Sequence, residues 1–427
     1  MAFGVAVAIG NTIGSGILKA PGEVAALLPS APLFLGVWAL GGLYALLSAL
    51  SIAELGTMIP RAGGQYAFAR RALGDYAGFV VGCSDWLSTC GSTAASALVI
   101  GEYLALLVPG LAGAATPIAV AVTVLFALLQ LRGVSLSGRV QELTSLAKTV
   151  AFALLIAACF ALAPAASTAA QATAAATLSP GAHTLGVSLV LALQAVIFTY
   201  DGWTGVIYFS EEIKDPAREV PRALVLGVLL IAAIYLLVNL ALLHVATLGE
   251  LAGATLAVGV GAGKLFGAAG DPAIRWLTVL SMLAAINAYH LMATRVLFGM
   301  ARDGLFFRRA VQVNEGGTPV PALLASAGVA VVFIASGTFK QVIAVLSFFF
   351  VANYTVSFVS LFVLRRREPA TVRPFKVPLY PVLPAVTLIG SVLFLGGSIA
   401  GDPRASLFAL LVLAASAPVF FLVKRRL

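Results

Sequence analysis

Long stretches of apolar residues recur along the whole chain, separated by short polar or basic segments. Most are about 20 residues or longer, the length that an α-helix needs to cross the hydrocarbon core of a bilayer. About twelve such stretches occur, which predicts an all-α membrane protein with about 12 transmembrane helices. The predicted spans are residues 2–28, 33–58, 76–107, 119–131, 143–162, 185–210, 223–246, 276–300, one that opens near Thr318, 342–364, 379–399 and 405–423.

The first stretch is interrupted by Gly10-Asn11-Thr12-Ile13-Gly14-Ser15-Gly16, where glycine and serine disfavour a continuous helix. A break at this depth frees backbone groups that no water satisfies, and it is tolerated only where it is buried or lines a cavity. The first half-helix would end in unpaired carbonyls, and the second would begin with unpaired N–H groups. A zwitterion suits these two ends. The alternative is a glycine notch for helix packing.

The sixth stretch is interrupted at a corresponding place, by Phe198-Thr199-Tyr200-Asp201-Gly202-Trp203-Thr204-Gly205. An acid and two glycines among bulky aromatics do not suit a continuous helix that faces lipid. Two glycine-interrupted segments in matching positions of two halves are the best sequence indication of a transporter binding site. Together the two interruptions favour a binding site over a packing notch.

Composition agrees with a polytopic membrane protein, since 61% of the 427 residues are hydrophobic and only 10% are charged. The net charge of +9 comes from lysine and arginine in alternate loops and in the C-terminal tail, so it indicates topology and not a nucleic-acid partner. The positive-inside rule predicts that both termini are cytoplasmic. The first stretch has no basic leader or cleavage site, so we expect a retained span. The expected location is the inner or plasma membrane.

The sequence lacks the motifs that usually indicate an enzyme. It contains no G-x-S-x-G elbow, no P-loop and no histidine or cysteine cluster at ligand spacing. Cys83, Cys90 and Cys159 lie inside apolar stretches and are interpreted as small core residues. We therefore expect no catalytic residue, no cofactor and no metal. Without a Walker motif in the chain, gradient-driven transport or exchange is the remaining function class.

Three loop motifs resemble one known family. They are Pro60-Arg61-Ala62-Gly63-Gly64-Gln65-Tyr66, the segment from Glu211 to Pro216, and Ala301-Arg302-Asp303-Gly304 before Thr318-Pro319. The chain is similar in these motifs to the amino acid-polyamine-organocation superfamily, and within it to the L-type amino acid transporter branch. The resemblance implies amino acid transport by alternating access, with an amino acid substrate and membrane lipid as partners.

The resemblance also implies the fold, a leucine-transporter-like arrangement with discontinuous helices 1 and 6. One transmembrane domain, residues 1–427, would contain two inverted five-helix repeats and two further helices. The expected ranges are 1–163 for the first repeat, 184–366 for the second and 378–424 for the additional helices.

The first break supplies the predicted carboxylate site. Thr12, Ile13, Ser15, Gly16 and Ile17 are its candidate residues, because the Ser15 hydroxyl and the amides that open the second half-helix can donate hydrogen bonds to a carboxylate. The family pattern, carried onto the same positions, gives the same assignment.

The second break supplies the predicted ammonium site, through the backbone carbonyls of Phe198, Tyr200 and Gly202. In the resembled transporters the aromatic residue at the Phe198 position acts as a gate above the substrate. Trp203 could close the pocket or serve as a packing anchor. Asp201 could bind the substrate ammonium or take a proton, but a cap on the second half-helix is favoured, because the amine already has backbone carbonyls available.

Lys148 is a charged residue inside the fifth stretch, about two turns from its cytoplasmic end by the predicted boundaries. It could extend its ammonium to the membrane interface. The resemblance gives it another role, because sodium-independent members carry a lysine here that ties the first and eighth helices together. We therefore expect a sodium-independent transporter, either an exchanger or a permease.

Other functions stay open at this point. One is a proton-coupled amino acid symporter, or a cationic amino acid or polyamine symporter. Another is a membrane receptor that binds its ligand without transporting it. Some relatives pair with a single-span glycoprotein through a cysteine after the third span. Residues 109–117 contain no cysteine, so no disulfide-linked partner subunit is expected.

Overall fold

The computed structural model describes residues 1–162, 184–336, 339–401 and 403–426, and in that part of the chain it is almost entirely helical, without strands. Residues 163–180, an uncharged stretch rich in Ala, Ser and Thr for which the sequence predicts an outer loop, lie outside the described residues. The α-helices are α1 (Ala2–Thr12), α2 (Ser15–Leu27), α3 (Ala31–Met58), α4 (Gln65–Leu73), α5 (Asp75–Leu107), α6 (Ala115–Leu131), α7 (Val134–Leu162), α8 (Leu185–Tyr200), α9 (Pro216–Val245), α10 (Leu248–Leu251), α11 (Ala257–Phe266), α12 (Gly270–Arg302), α13 (Val320–Ala335), α14 (Phe339–Arg367), α15 (Val382–Gly401) and α16 (Pro403–Arg426).

Hydrophobic length makes this a multi-pass membrane protein. Nine helical stretches of the described residues are long and apolar enough to cross a bilayer, and the pair α1 and α2, bent by 46°, makes a tenth. Helices α6 and α13 are apolar but shorter, with 17 and 16 residues. The largest boundary difference from the sequence prediction is in α7, which begins at Val134 and not at 143, because the helix continues through polar residues that hydropathy does not count.

Helix α1 lies at the centre of the bundle. It contacts α7, α9, α12 and the 3₁₀ helix Trp203–Glu212, which follows α8. Around this centre, α3 packs along α9 and α5 packs along α12. The side chains of Val7, Ile13 and Ile17 are fully buried. The residues on both sides of the first break are therefore enclosed by protein and not by lipid.

Both chain ends lie at one face, here called the terminal face. The Met1 amino group contacts Glu219 at 2.7 Å, and Lys424 contacts Asp75 at 3.7 Å. At the same face, Asp303 after α12 binds Arg61 before α4 and Arg70 on α4.

Further charged contacts close the terminal face. Glu211 binds Arg302 and accepts the backbone N–H of Ala62, while Arg295 binds Glu212 at 2.6 Å. These pairs link α12 to the 3₁₀ helix and to the turn before α4. The segments around the terminal end of α1 are thus held together by charge.

A buried ionic cluster anchors α14 to α3. Glu54 is fully buried and accepts two hydrogen bonds from Arg365, both at 2.6 Å. Arg373 lies 3.2 Å from the same carboxylate, and the Val377 amide donates to it at 2.8 Å. Because a buried charge needs a partner, this cluster fixes the segment that leads to α15.

The opposite face is covered by residues 247–266, here called the lid segment. Thr247 and Glu250 form a reciprocal capping box at α10, and Lys264 binds Glu250 at 2.7 Å. The hydrogen bond from Lys264, together with that from the Thr247 backbone, lowers the pKa of Glu250 to about 2. The Gly253 amide donates to the Gly22 carbonyl, which attaches the lid segment to α2.

Candidate functional site

The first helix break is short and sharply bent. Helix α1 ends at Thr12, Ile13 takes an extended conformation, and α2 begins at Ser15 with no side-chain cap on its first N–H groups. The amides of the first turn of a helix have no intrahelical partner. The start of α2 therefore presents free donors and the positive end of its dipole.

The second break lies directly against the first. Helix α8 ends at Tyr200, Asp201 is extended, and Gly202 adopts the left-handed conformation with φ of 110° before the 3₁₀ helix starts. A Cβ atom at Gly202 would lie 3.0 Å from the backbone of Asn11 and Thr12. Glycine is required here both for the conformation and for the close approach of the two breaks.

Neutral side chains connect the two breaks. The Asn11 side-chain amide donates to the Gly202 carbonyl at 2.9 Å. The Tyr235 hydroxyl on α9 lies 2.9 Å from the Thr12 carbonyl and 3.0 Å from the Thr199 carbonyl, so its one hydrogen is shared between the last turns of α1 and α8. Several carbonyls freed by the breaks thus have partners in the protein.

Lys148 supplies a charged donor to the first break. Its Nζ lies 2.6 Å from the Ile13 carbonyl, 3.0 Å from the Gly10 carbonyl and 3.4 Å from the Ile9 carbonyl. The same atom lies 3.4 Å from the Ser281 carbonyl on α12. The contacts join the first and eighth predicted spans, as the resemblance implies.

Lys148 does not lie near an end of its helix. With α7 spanning Val134–Leu162, the residue lies at the middle of the helix and its side chain is fully buried. It therefore does not extend to the interface.

A cavity of about 330 Å³ lies where the breaks meet. Thr12, Ser15 and Gly16 line it from the first break, and Phe198 and Asp201 line it from the second. Other parts of its wall come from α2, α5, α12 and α14, including Lys19, Glu23, Ser92, Ser96, Tyr289 and Phe350. Lys19 and Glu23 continue the cavity along α2 towards the lid segment.

Five of the predicted substrate-binding residues, Ile13, Ile17, Tyr200, Gly202 and Trp203, do not line this cavity. The side chains of Ile13 and Ile17 are fully buried, and the Ile13 carbonyl is bound by Lys148. The Gly202 carbonyl accepts both the Asn11 amide and the Gly205 N–H, which uses the two lone pairs of a carbonyl. Trp203 lies elsewhere, with its ring stacked on that of Tyr354 at 5.5 Å.

A second, smaller cavity of about 30 Å³ contacts Tyr200 and Trp203. It lies between α3, α8, α14 and α15, and shares Phe198, Asp201 and Phe350 with the large cavity. These three side chains separate the two spaces. Tyr200 and Trp203 are therefore placed behind the large cavity, and the Tyr200 hydroxyl donates to the Trp38 carbonyl.

The favoured helix cap at Asp201 is not formed. The residue before the 3₁₀ helix is Gly202, and no side-chain cap hydrogen bond is present there. The Asp201 carboxylate accepts a hydrogen bond from the Tyr354 hydroxyl at 2.5 Å, which connects the break to α14. The extra residue between Asp201 and the helix start explains why the cap prediction was wrong.

Sequence reasoning missed Asn11, Tyr235 and Tyr354. Asn11 could have been found, because it is a polar residue inside the first break. A tyrosine in an apolar helix gives no comparable signal, since it usually indicates core packing. The Asn11 Oδ1 and Thr12 Oγ1 atoms are buried without a hydrogen-bond partner in the described part of the chain, so both are available to a ligand.

Comparison with known proteins gives consistent results. The family profile described as Amino acid permease matches residues 4–416. The chain is 29% identical to the serine/threonine exchanger SteT of Bacillus subtilis (strain 168), over 99% of this chain and 96% of that protein. It is 30% identical to the Asc-type amino acid transporter 1 of Mus musculus, over 97% of this chain and 79% of that protein.

A third relative is the b(0,+)-type amino acid transporter 1 of Homo sapiens. It is 28% identical, and the match covers 98% of this chain and 86% of that protein. The resemblance stated from the loop motifs is confirmed, and these relatives are transporters and not enzymes.

Proposed function

The chain belongs to the amino acid permease family, and we propose that it is a sodium-independent amino acid exchanger or permease that works by alternating access. Amino acid transport follows from the family. The observation that carries the proposed mechanism is the cavity of about 330 Å³, which is bounded by the start of α2 and the end of α8. Helix ends of opposite polarity at one cavity suit a zwitterion.

The first break would bind the substrate carboxylate. The amides of Ser15, Gly16 and Ile17 are the unpaired donors of the first turn of α2, so the fully buried side chain of Ile17 does not prevent its amide from taking part. The hydroxyls of Thr12 and Ser15 add two donors beside them.

The second break would bind the substrate ammonium. The Phe198 carbonyl, in the last turn of α8, accepts one hydrogen bond, from the Asp201 N–H, and is the proposed acceptor, whereas Tyr200 lies behind the cavity and the Gly202 carbonyl already has two donors. The Asn11 Oδ1 atom adds an unpaired acceptor. Phe198, which is 42% exposed, is the proposed gate over the cavity.

Lys148 supports sodium independence. Its ammonium contacts carbonyls of α1 and α12, and carbonyl oxygens are ligands that a sodium ion would need. The fixed positive charge of Lys148 would occupy the position of a bound sodium ion.

The proposed topology has twelve spans, counted as the nine long stretches, the bent pair and the two shorter apolar helices. Residues 1–163 and 184–366 would form inverted repeats, since the second and third spans of each half pack as pairs, α3 with α9 and α5 with α12. Residues 378–424 add two helices. The terminal face would be cytoplasmic in an inner or plasma membrane, because the basic loops lie there. No disulfide-linked partner is part of the proposal.

Counterflow in proteoliposomes tests the proposal. Purified protein would be reconstituted with unlabelled L-serine inside, and radiolabelled amino acids would be added one at a time outside. We expect uptake of neutral amino acids that is unchanged when choline replaces sodium. Uptake that requires sodium would contradict the role of Lys148, and binding without flux would favour a receptor.

A matched pair of glycine variants tests the location of the site. A Cβ atom at Gly16 would lie 3.0 Å from the Thr199 side chain, whereas Gly36 on α3 has open space around it. Gly16→Val should abolish counterflow, and Gly36→Val should leave it intact. Equal activity of the two variants would place the substrate elsewhere.

A cationic amino acid is a second candidate substrate, because the Asp201 carboxylate lines the cavity. Competition of counterflow by L-arginine or putrescine distinguishes it from a neutral amino acid. An imposed pH gradient distinguishes exchange from proton-coupled symport.

A further inference from the structure

Two carboxylates beside the cavity, the buried Asp85 and the half-buried Asp201, accept hydrogen bonds from neutral groups. Asp85 on α5 is 1% exposed, and its two carboxylate oxygens accept the Tyr208 hydroxyl at 3.0 and 2.9 Å. Asp201 accepts the Tyr354 hydroxyl at 2.5 Å. The charge of Asp201 acts on Asp85, and the charges of both acids act on Tyr208 and Tyr354. Among the described residues neither acid has an ion-pair partner.

Neutral hydroxyls surround this acid pair. The 3₁₀ helix contributes Tyr208, and α14 contributes Tyr354, which also lies 3.4 Å from the Thr204 hydroxyl. The phenols of Tyr289 on α12 and Tyr235 on α9 face the charge of Asp201 as well.

Basic side chains on the surrounding helices are engaged at other places. Lys148 binds backbone carbonyls, Arg295 binds a glutamate at the terminal face, and Arg70 on α4 binds Asp303. His290 on α12 faces the backbone of α6. Lys19 lines the large cavity further along α2.

An ionised carboxylate without a counter-charge is costly to bury, and two such carboxylates repel each other. We propose that Asp85 and Asp201 together bind one exchangeable proton and form a proton site attached to the large cavity. Asp201 is the member that lines the cavity, so it exchanges the proton with the cavity. Asp85 lies behind it and is reached through the tyrosine hydroxyls.

The hydrogen bonds of both acids depend on the position of the segment that contains the second break and the 3₁₀ helix. Asp201 and Tyr208 belong to that one segment, whereas their partners Tyr354 and Asp85 belong to α14 and α5. Movement of the segment changes the partners of both acids at once. Proton affinity and the position of the break are therefore linked, which adds a proton to the events that accompany amino acid exchange.

The proposal is tested on the purified full chain without substrate, so the result does not depend on the proposed transport function. Infrared difference spectra across a pH titration detect protonated carboxyl groups by their carbonyl stretch. We expect one buried carboxylic acid near neutral pH. Asp85→Asn and Asp201→Asn each relieve the remaining acid of its neighbour's charge, so its signal should disappear at a pH about one unit lower.

Two further variants complete the test. Tyr208→Phe removes the donor to ionised Asp85 and should shift the transition about one unit to higher pH, which keeps the proposal testable if Asp85→Asn does not fold. Asp303→Asn, whose carboxylate is paired with arginines, is the control and should leave the signal unchanged. The proposal is overturned if no acid signal appears near neutral pH, or if both asparagine variants titrate like the unaltered chain.

Discussion

The two helix breaks meet the same problem, unpaired backbone inside a membrane, by different means. At the first break a buried ammonium binds the backbone carbonyls, since Lys148 contacts those of Ile9 and Gly10 in α1 and that of Ile13 in the break. At the second break neutral groups bind the backbone carbonyls. The Asn11 amide donates to the Gly202 carbonyl, and the Tyr235 hydroxyl donates to the Thr199 carbonyl. The first set of bonds carries a formal charge, and the second does not.

The difference indicates which break can move. Hydrogen bonds from a charged donor are roughly twice as strong as neutral ones, and a buried charge cannot easily give up its partners. The first break is therefore the fixed side of the cavity. The second break is held by neutral bonds and by the Asp201 contact with Tyr354, and we propose that it is the side that rearranges around a substrate.

The largest expected effect comes from removing the charge at the first break. Lys148→Met keeps the length of the side chain but leaves the carbonyls of Ile13, Gly10 and Ser281 without their donor. We expect the lost hydrogen bonds to cost about 3 kcal/mol, so that the rate of counterflow falls by about 100-fold. The thermal unfolding midpoint should also be lower.

Lys264→Met on the exposed lid segment is the control for this variant and should keep its activity. If Lys148→Met exchanges amino acids at the rate of the unaltered chain, the fixed-side assignment is wrong.

The next effect tests the bond that joins the breaks. Asn11→Ala leaves the Gly202 carbonyl with one donor and removes the free Asn11 Oδ1 acceptor from the proposed ammonium site. We expect these losses to weaken substrate binding by about 1.4 kcal/mol, which raises the substrate concentration for half-maximal counterflow tenfold. An unchanged value would mean that the second break does not depend on the first for its position.

A smaller effect is expected at the shared hydroxyl. Tyr235→Phe removes the hydroxyl that two carbonyls share. The lost hydrogen bond should cost about 1 kcal/mol and raise the substrate concentration for half-maximal counterflow about fivefold. Tyr44→Phe removes a similar bond, between α3 and the Thr387 carbonyl, which touches neither break. It should alter thermal stability only. The same kinetic change in both variants would contradict a specific role for Tyr235.

The smallest effect sharpens the assignment of the carboxylate site. Ser15→Ala removes one hydroxyl but keeps the backbone amides, so we expect about a threefold rise in half-saturating concentration, near 0.7 kcal/mol. Ser51→Ala, which removes a bond within α3, is the control. A loss as large as that of Lys148→Met would show that Ser15 does more than donate one hydrogen bond.

The positions of both helix breaks could be predicted from the sequence, because glycine and charged residues in an apolar stretch disfavour a continuous helix regardless of the tertiary contacts. Both breaks occur where Gly14 and Gly202 predict them. Hydropathy does not register the polar turns that open α7, and it does not show that Lys148 contacts carbonyls of other helices. The contact between Asn11 and Gly202 joins residues 191 positions apart, and no local pattern encodes such a bond. The aspartate at position 85 gave no clue to its tyrosine partner for the same reason.

The charged contacts of the terminal face have a kinetic consequence. In the proposed transport cycle, opening that face would separate Asp303 from Arg61 and Arg70. Exposed charge pairs weaken as dissolved ions screen them, while the pairs buried deeper do not. Raising the ionic strength in the compartment that bathes this face should therefore speed the proposed opening of the terminal face, and the same change on the opposite side should not.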